Sequence, residues 1–330
     1  MSKQFVKDLK RGGFVQSQFV VLDVKVLPYS APSRAGEYFL RILLGDVSGT
    51  IKSIIWDRSM VSEPIKVDDV LYVSGEVKEY QGLQLVINGY EKMDKDNIKR
   101  EYFQVVSDRD PGEMWSSLQK IMDKKVNDKK LKELLHVFYN DKEMVDRFVL
   151  SSAAKTIHHN YLGGLLEHTL EVVELCDKLA QYYPEELDTS LLMIGALFHD
   201  IGKIEEYNMN SITFQQTDRG KLLGHITIGH GMLKEKIDEV ASFPERLKMN
   251  LEHMILSHHG EKEWGSPEIP QTFEAFTLFH ADLISARLKQ FQQVLKTSDE
   301  SPGWTEWDRF LQRRIYHQDD IYADLNPEGY

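Results

Sequence analysis

The hydrophobic pattern changes period once along the chain. Over residues 14–93 the apolar positions come in short runs, several alternating with polar ones, separated by Gly, Asp, Ser and Pro. Phe14 to Leu27 reads as a long strand that ends at Pro28. Tyr38 to Leu44 and Ile51 to Trp56 flank a turn at residues 45–49, and Val70 to Tyr80 and Leu83 to Tyr90 form a hairpin about Gln81-Gly82. Five strands in so short a stretch predict a small closed or partly closed barrel. Alternation turns Leu40, Ile42, Leu44, Ile51, Ser53 and Ile55 toward its core. Phe39, Arg41, Leu43, Lys52, Ile54 and Trp56 then face outward.

From Glu113 onward the period is helical. Met114, Leu118, Ile121 and Met122 form one stripe, and Leu131, Leu134, Leu135 and Phe138 another. Leu165 to Tyr183 is a helix with His168 in line with Val172, Leu175 and Leu179. Asp188 or Thr189 caps the next helix, which ends in His199-Asp200. Leu222, His225, Gly229 and Met232 share one face of another. Pro244 opens a helix whose inward face carries Leu247, Leu251, Met254 and His258, and Gly260 stops it. A last helix, about Thr272 to Leu295, carries Leu278, Asp282 and Ser285 along one side. The expected organisation is multidomain: an all-β barrel over 1–93, a charged linker over 94–112, an all-α bundle over 113–300 with its core at 143–295, and a tail over 301–330. Trp304, Trp307 and Tyr316 make that tail too aromatic for simple disorder; it either packs on the bundle or mediates homo-oligomer formation.

The length of 330 residues suits two domains. No apolar run reaches the roughly 18 residues of a membrane span, and the N-terminus lacks the apolar core of a signal peptide. The single cysteine, Cys176, cannot form an internal disulfide and lies in an apolar helical pattern. A cytoplasmic protein without a membrane partner is expected. The net charge of −12 argues against bulk, non-specific binding of nucleic acid, although the first ninety residues are close to neutral. The barrel face holding Phe39, Arg41, Lys52 and Trp56 mixes aromatic rings with cations, which suits stacking of unpaired bases; alternatively, Trp56 caps the barrel core.

The chemistry lies in the helical part. His168, His199, His225 and His258, with Asp200 and Asp282, stand on or at the ends of the inward faces of five helices. An unpaired carboxylate in an apolar interior costs several kcal/mol, so so many inward polar groups point to a metal centre. His199 and Asp200 project about 100° apart, letting the carboxylate bridge two cations while the imidazole holds one. Gly202 is expected to end the helix in the left-handed conformation, and Lys203 to emerge where a substrate phosphate reaches it. Mixed imidazole and carboxylate donors favour Mn²⁺, Fe²⁺, Co²⁺, Ni²⁺ or Zn²⁺ over Mg²⁺. Two cations about 3.5–4 Å apart acidify a shared water and offset the charge that builds on phosphorus.

The barrel strings Asp46-Val47-Ser48-Gly49-Thr50-Ile51, Ile55-Trp56-Asp57 and Val73-Ser74-Gly75-Glu76-Val77 resemble an OB-fold of the nucleic-acid-binding kind. The ordered set His168, His199-Asp200, His225, His258-His259 and Asp282 resembles the two-metal form of the HD-domain phosphohydrolases. With an OB-like barrel ahead of it and His159-Asn160-Tyr161 just before Gly163-Gly164-Leu165-Leu166-Glu167-His168, the chain resembles the YhaM-type 3′–5′ exoribonucleases over nearly its whole length. The resemblance implies one metal on His168, His199, Asp200 and Asp282 and a second on Asp200, His225 and His258. It leaves His259 as a further ligand or a substrate contact, and implies Mn²⁺ as the best-supporting ion. It gives Asp200, Lys203 and His159 catalytic roles, His159 by holding the terminal nucleotide or protonating the leaving oxygen. It also implies single-stranded RNA as substrate, with ssDNA a second possibility, shortened from the 3′ end to nucleoside 5′-monophosphates. Cyclic-dinucleotide cleavage is disfavoured, because Gly265-Ser266-Pro267 lacks the tyrosine of that branch's Gly-Tyr-Pro string. A phosphohydrolase of small nucleotides with a regulatory barrel, and a non-catalytic RNA-binding protein, are the alternatives.

Overall fold

Strands β1 (Phe14–Pro28), β2 (Tyr38–Asp46), β3 (Gly49–Ile55), β4 (Val70–Glu79) and β5 (Leu83–Met93) close into a barrel in the order β1-β2-β3-β5-β4. Every pairing is antiparallel except that of β3 with β5. The first strand is long because it serves two neighbours: its N-terminal half pairs with β4 and its C-terminal half with β2. Register shifts after Val21 and after Ser74 curl the sheet toward closure. At Gly75 the strands approach too closely for any side chain, since a Cβ there would lie 2.2 Å from the Val86 carbonyl oxygen. Gln81 and Gly82 both take positive φ, of 51° and 99°, which suits the tight hairpin linking β4 to β5. This is the OB-like barrel expected from the strand pattern.

The computed structural model describes residues 3–104, 107, 109–152, 161–208, 211–213, 215–297 and 303–317. Leu40, Ile42, Leu44, Ile51 and Ile55 fill the barrel core beside Phe19, Leu71, Val73 and Leu85. Ile54 departs from the alternation: it is buried, although its phase turns it outward. It stands in one row between Arg41 of β2 and Val86 of β5, and strands on both sides cover a central position better than period alone implies.

By its internal contacts the chain divides into two units, Met1–Val106 with Asn208–Gln215, and Ser107–Tyr207 with Gln216–Tyr330. Residues 208–215 thus join the barrel unit although the helical stretch surrounds them in sequence. Their anchor is the buried Asp68, whose Oδ1 accepts from Ser211 Oγ, Thr213 N and Thr213 Oγ1, each at 2.8 Å, while Oδ2 accepts from Lys95. Burial raises the Asp68 pKa, but the Lys95, Ser211 and Thr213 hydrogen bonds outweigh it and hold the carboxyl below its usual value. A depressed folded-state pKa gives stability that is present above the unfolded value, near 3.9, and lost as pH falls through the folded one. Asp68→Asn is therefore expected to speed hydrogen exchange in β4 at about pH 5. The difference from wild type should shrink toward about pH 3, as both carboxamide and carboxylic acid lack the charge. A pH-independent difference would refute the assignment.

The second unit is helical: α1 (Pro111–Lys125), α2 (Lys129–Asn140), α3 (Lys142–Leu150), α4 (Gly164–Tyr182), α5 (Thr189–Phe198), α6 (Lys203–Glu206), α7 (Asp218–Asp238), α8 (Glu245–Ser257) and α9 (Phe273–Thr297). Asp110, Asp128, Asp141 and Asp188 each open a helix by accepting backbone N–H groups of its first turn, so Asp188 rather than Thr189 caps α5. From Ser190 to Phe198 every residue of α5 is buried, which makes it the centre of the bundle. Its end delivers His199-Asp200 to the interior. Cys176 is a buried free thiol. After α9, β6 (Gly303–Trp304) and β7 (Tyr316–His317) pair around a turn that buries Leu311 and Ile315. Among the described residues no helix is long and apolar enough to cross a membrane.

Candidate metal centre

Four imidazoles converge on the Asp200 carboxylate. On the side of Oδ2, the Nε2 atoms of His168 and His199 stand at 3.5 and 3.4 Å. On the side of Oδ1, those of His225 and His258 stand at 3.5 and 3.6 Å. Asp282, one face of α9, reaches His168 Nε2 with Oδ1 at 3.1 Å. His259 groups with His225 and His258, its ring centroid 4.5 Å from that of His258.

Each imidazole is turned by an oxygen at its other nitrogen. Nδ1 of His199 meets the Ala196 carbonyl and Nδ1 of His258 the Ile255 carbonyl, both at 2.7 Å, one helical turn back. Nδ1 of His168 meets Ser285 Oγ at 3.1 Å, and Nδ1 of His225 meets the buried Glu206 carboxylate at 3.3 Å. A neutral imidazole that donates from Nδ1 presents a lone pair at Nε2. The Nε2 atoms of His168 and His199 are only 3.2 Å apart, so with both rings neutral their lone pairs face each other, an arrangement that a shared cation relieves. Asp200 Oδ1, His225 Nε2 and His258 Nε2 are buried without a hydrogen-bond partner. Such orphaned acceptors are costly alone and fit divalent metal ions.

Charge supports that donor set. Burial pushes the Asp200 pKa up, but Lys203 and His199 hold it well below the carboxylate range. Burial lowers the pKa of His168 and His258, and takes His259 down to about 3 with help from His258 and His225. Burial also lowers that of His199, but the Asp200 carboxylate beside it outweighs burial and raises it. The centre therefore offers ionised carboxylates, neutral His168, His258 and His259, and at His199 an imidazole whose proton the carboxylate holds until a cation takes its place.

The elements explain the placement. Gly202 does not take the left-handed conformation; its φ of −63° and ψ of −17° are helical. It is small because α6 packs on α7: a Cβ would lie 2.0 Å from the His225 carbonyl oxygen and 2.5 Å from Gly229 N. In α7, Gly224 breaks the helix with φ 70° and ψ 157°, so the run restarts at His225. The expected common face of Leu222 and His225 is lost at that break, and Leu222 is 82% exposed. Gly260, with φ 78°, stops the turn after His259.

Lys203 Nζ lies 2.5 Å from Asp200 Oδ2. It lines, with His168, Asp200, His258, His259 and Asp282, a cavity of about 490 Å³ whose other walls include Trp264, Phe279, Arg287 and Phe310. His159 lies outside the described residues. On the barrel, Arg41 and Lys52 line a depression of about 340 Å³ with Tyr80 and Gln84. Phe39 and Trp56 pack with Tyr29, their ring centroids 5.0–5.7 Å apart, and Trp56 does not cap the barrel core but is 43% exposed. Sequence pattern alone passed over Tyr29, Tyr80 and Glu206. Glu206 follows Lys203 by three residues, a helical spacing that marks a carboxylate near the site.

A bundle whose helices aim histidines at one buried aspartate is the architecture of an HD domain, and the HD-domain family model matches residues 165–287. The 3′–5′ exoribonuclease YhaM of Halalkalibacterium halodurans is 31% identical over 264 residues, covering 79% of this chain and 81% of the relative. The YhaM of Bacillus subtilis (strain 168) is 30% identical over 289 residues, covering 86% and 89%. The chain belongs to the family of the YhaM 3′–5′ exoribonucleases. A domain of replication protein A from Methanococcus maripaludis matches 28% of this chain and 97% of its own at 18% identity and a TM-score of 0.25. The OB-like character of the barrel lies in its strand order, β1-β2-β3-β5-β4.

Proposed function

We propose that this chain is a metal-dependent 3′–5′ exoribonuclease that shortens single-stranded RNA and releases nucleoside 5′-monophosphates. The observation that carries the reading is the Asp200 carboxylate, which presents one oxygen to each of two imidazole pairs. His168, His199, Asp200 and Asp282 would hold one divalent ion. Asp200, His225 and His258 would hold the other, with His259 beside them. Mn²⁺ is the ion expected to support activity best, within a donor set that also accepts Fe²⁺, Co²⁺, Ni²⁺ or Zn²⁺. When bound, the ions supply Lewis acidity toward the phosphoryl oxygens and acidify water.

The protein's own groups do the rest. Ala196, Ile255, Ser285 and Glu206 fix the imidazole orientations before any ion arrives. Lys203 brings a cation to the scissile phosphate, reaching from the edge of Asp200. Water oxygen joins phosphorus and the bond to the 3′ oxygen of the penultimate nucleotide breaks, so the terminal nucleotide leaves with its 5′ phosphate. Low-pKa His259 stays neutral at ordinary pH and serves as a hydrogen-bond partner rather than a charge. On the barrel, the Tyr29, Phe39 and Trp56 rings offer stacking surfaces, and Arg41 and Lys52 offer cations to the backbone.

The test is a 5′-labelled single-stranded RNA incubated with protein and Mn²⁺, with a chelator control. A ladder receding from the 3′ end with mononucleotide release is expected. Intact RNA alongside hydrolysis of small nucleotide esters would overturn the substrate. Trp56→Ala and Lys52→Ala are each expected to weaken RNA binding about 5- to 50-fold, the scale of one lost stack or charge-assisted contact. Filter binding in the presence of chelator checks this, and wild-type affinity in both variants would reject this barrel face.

A further inference from the structure

We propose that Trp264, Phe279 and Phe310 form a pocket for the unpaired base at the RNA 3′ end, with the C-terminal segment 303–317 as its outer wall. The proposal rests on the exoribonuclease reading and adds the subsite that holds the base. All three rings line the same cavity as Asp200, His258 and Asp282. Its volume of about 490 Å³ lies in the range of small-ligand sites and suits a single nucleotide rather than a base pair.

The positions that carry the rings are anchored. Phe310 is 57% exposed, yet its backbone is fixed on both sides: Asp308 Oδ1 accepts from Phe310 N at 2.9 Å and Leu311 N at 2.6 Å. Arg287 Nη1 of α9 donates to the Phe310 carbonyl at 3.0 Å, and buried Gln290 donates to Asp308. Burial of Leu311 and Ile315 completes the anchor. Trp264, 52% exposed, closes a short turn that begins just past His259-Gly260 and ends at Gly265 with φ 89°. Its ring centroid is 6.2 Å from that of Phe279. Phe279 in turn presses on Gly260, where a Cβ would come within 2.2 Å of the ring. Two exposed aromatic rings, Phe310 on an anchored backbone and Trp264 backed by the buried Phe279, line one cavity with the candidate metal ligands and match the demands of base stacking. Stacking tolerates any base, as an enzyme that removes successive nucleotides requires.

The experiment compares RNA with an ordinary 3′ end and RNA ending in an abasic residue, using full-length Mn²⁺-loaded protein. Phe310→Ala and Trp264→Ala are each expected to raise KM for ordinary RNA about tenfold with a much smaller fall in kcat. Wild type should lose about the same factor on the abasic end, while the variants lose little more. Phe310→Tyr should restore KM, and Phe310→Leu, which keeps apolar bulk without a ring plane, should not. Binding of adenosine 5′-monophosphate followed by calorimetry gives a readout independent of turnover, with the same ranking expected. Unchanged KM and nucleotide affinity in Phe310→Ala and Trp264→Ala, with wild type digesting RNA normally, would overturn the pocket. A wild type inert on RNA but binding the mononucleotide through these rings would overturn the exoribonuclease reading and leave the pocket standing.

Discussion

Asp200→Asn is expected to lower hydrolysis of RNA on the order of 10⁴-fold, the scale seen when one member of a catalytic unit is removed. The substitution is nearly isosteric, so packing around the 2%-exposed side chain is kept. What is lost is the charge that both imidazole pairs face. Lys203 then loses the carboxylate 2.5 Å away. Steady-state rates over a Mn²⁺ titration check the prediction. If higher Mn²⁺ restored the wild-type rate, Asp200 would be one ligand among several rather than the bridge. Thermal melting adds a second reading. Ions that bind only the folded protein stabilise it by about 2.7 kcal/mol at a hundredfold excess over Kd. The Mn²⁺-induced rise in Tm should therefore be large in wild type and small in Asp200→Asn.

Gly202→Ala carries the second large effect, and its sign is the informative part. In an ordinary helical conformation, replacing glycine by alanine stabilises by about 0.4–1 kcal/mol. Gly202 has ordinary helical dihedrals, so conformational preference alone predicts a gain. The new Cβ would meet the backbone of His225 and Gly229, which cannot rotate away. Forced overpacking of this kind costs about 1–3 kcal/mol or more. The expected result is a lower Tm together with weaker Mn²⁺ binding by calorimetry, because His225 moves with the α7 backbone. A higher Tm with unchanged Mn²⁺ affinity would mean that α6 and α7 are not held at this distance.

Much of this was legible from period and spacing. The alternation from Leu40 to Ile55 placed the barrel core, since a half-buried strand shows its period directly. The inward histidines stood out because they fell in line with Leu and Met on helical stripes, where a polar group needs a reason. Three kinds of feature were hidden. Close approaches between elements distant in sequence, such as Gly202 on α7 or Gly75 on β5, look like any other glycine. A backbone break resets helical phase, so Leu222 and His225 appeared to share a face that Gly224 separates. Long-range assembly was the third: Asp68 gathers Ser211 and Thr213, and Phe310 joins Trp264 at one cavity, across separations that no local pattern encodes.

If the Asp200 carboxylate joins two metal ions, manganese EPR on the Mn²⁺-titrated full-length chain will show it. The predicted result is uptake of two ions per chain with a broadened, exchange-coupled spectrum, which Asp200→Asn converts to the signal of isolated ions. Saturation at one ion per chain, or an isolated-ion spectrum in the wild type, would mean that Asp200 bridges no second ion.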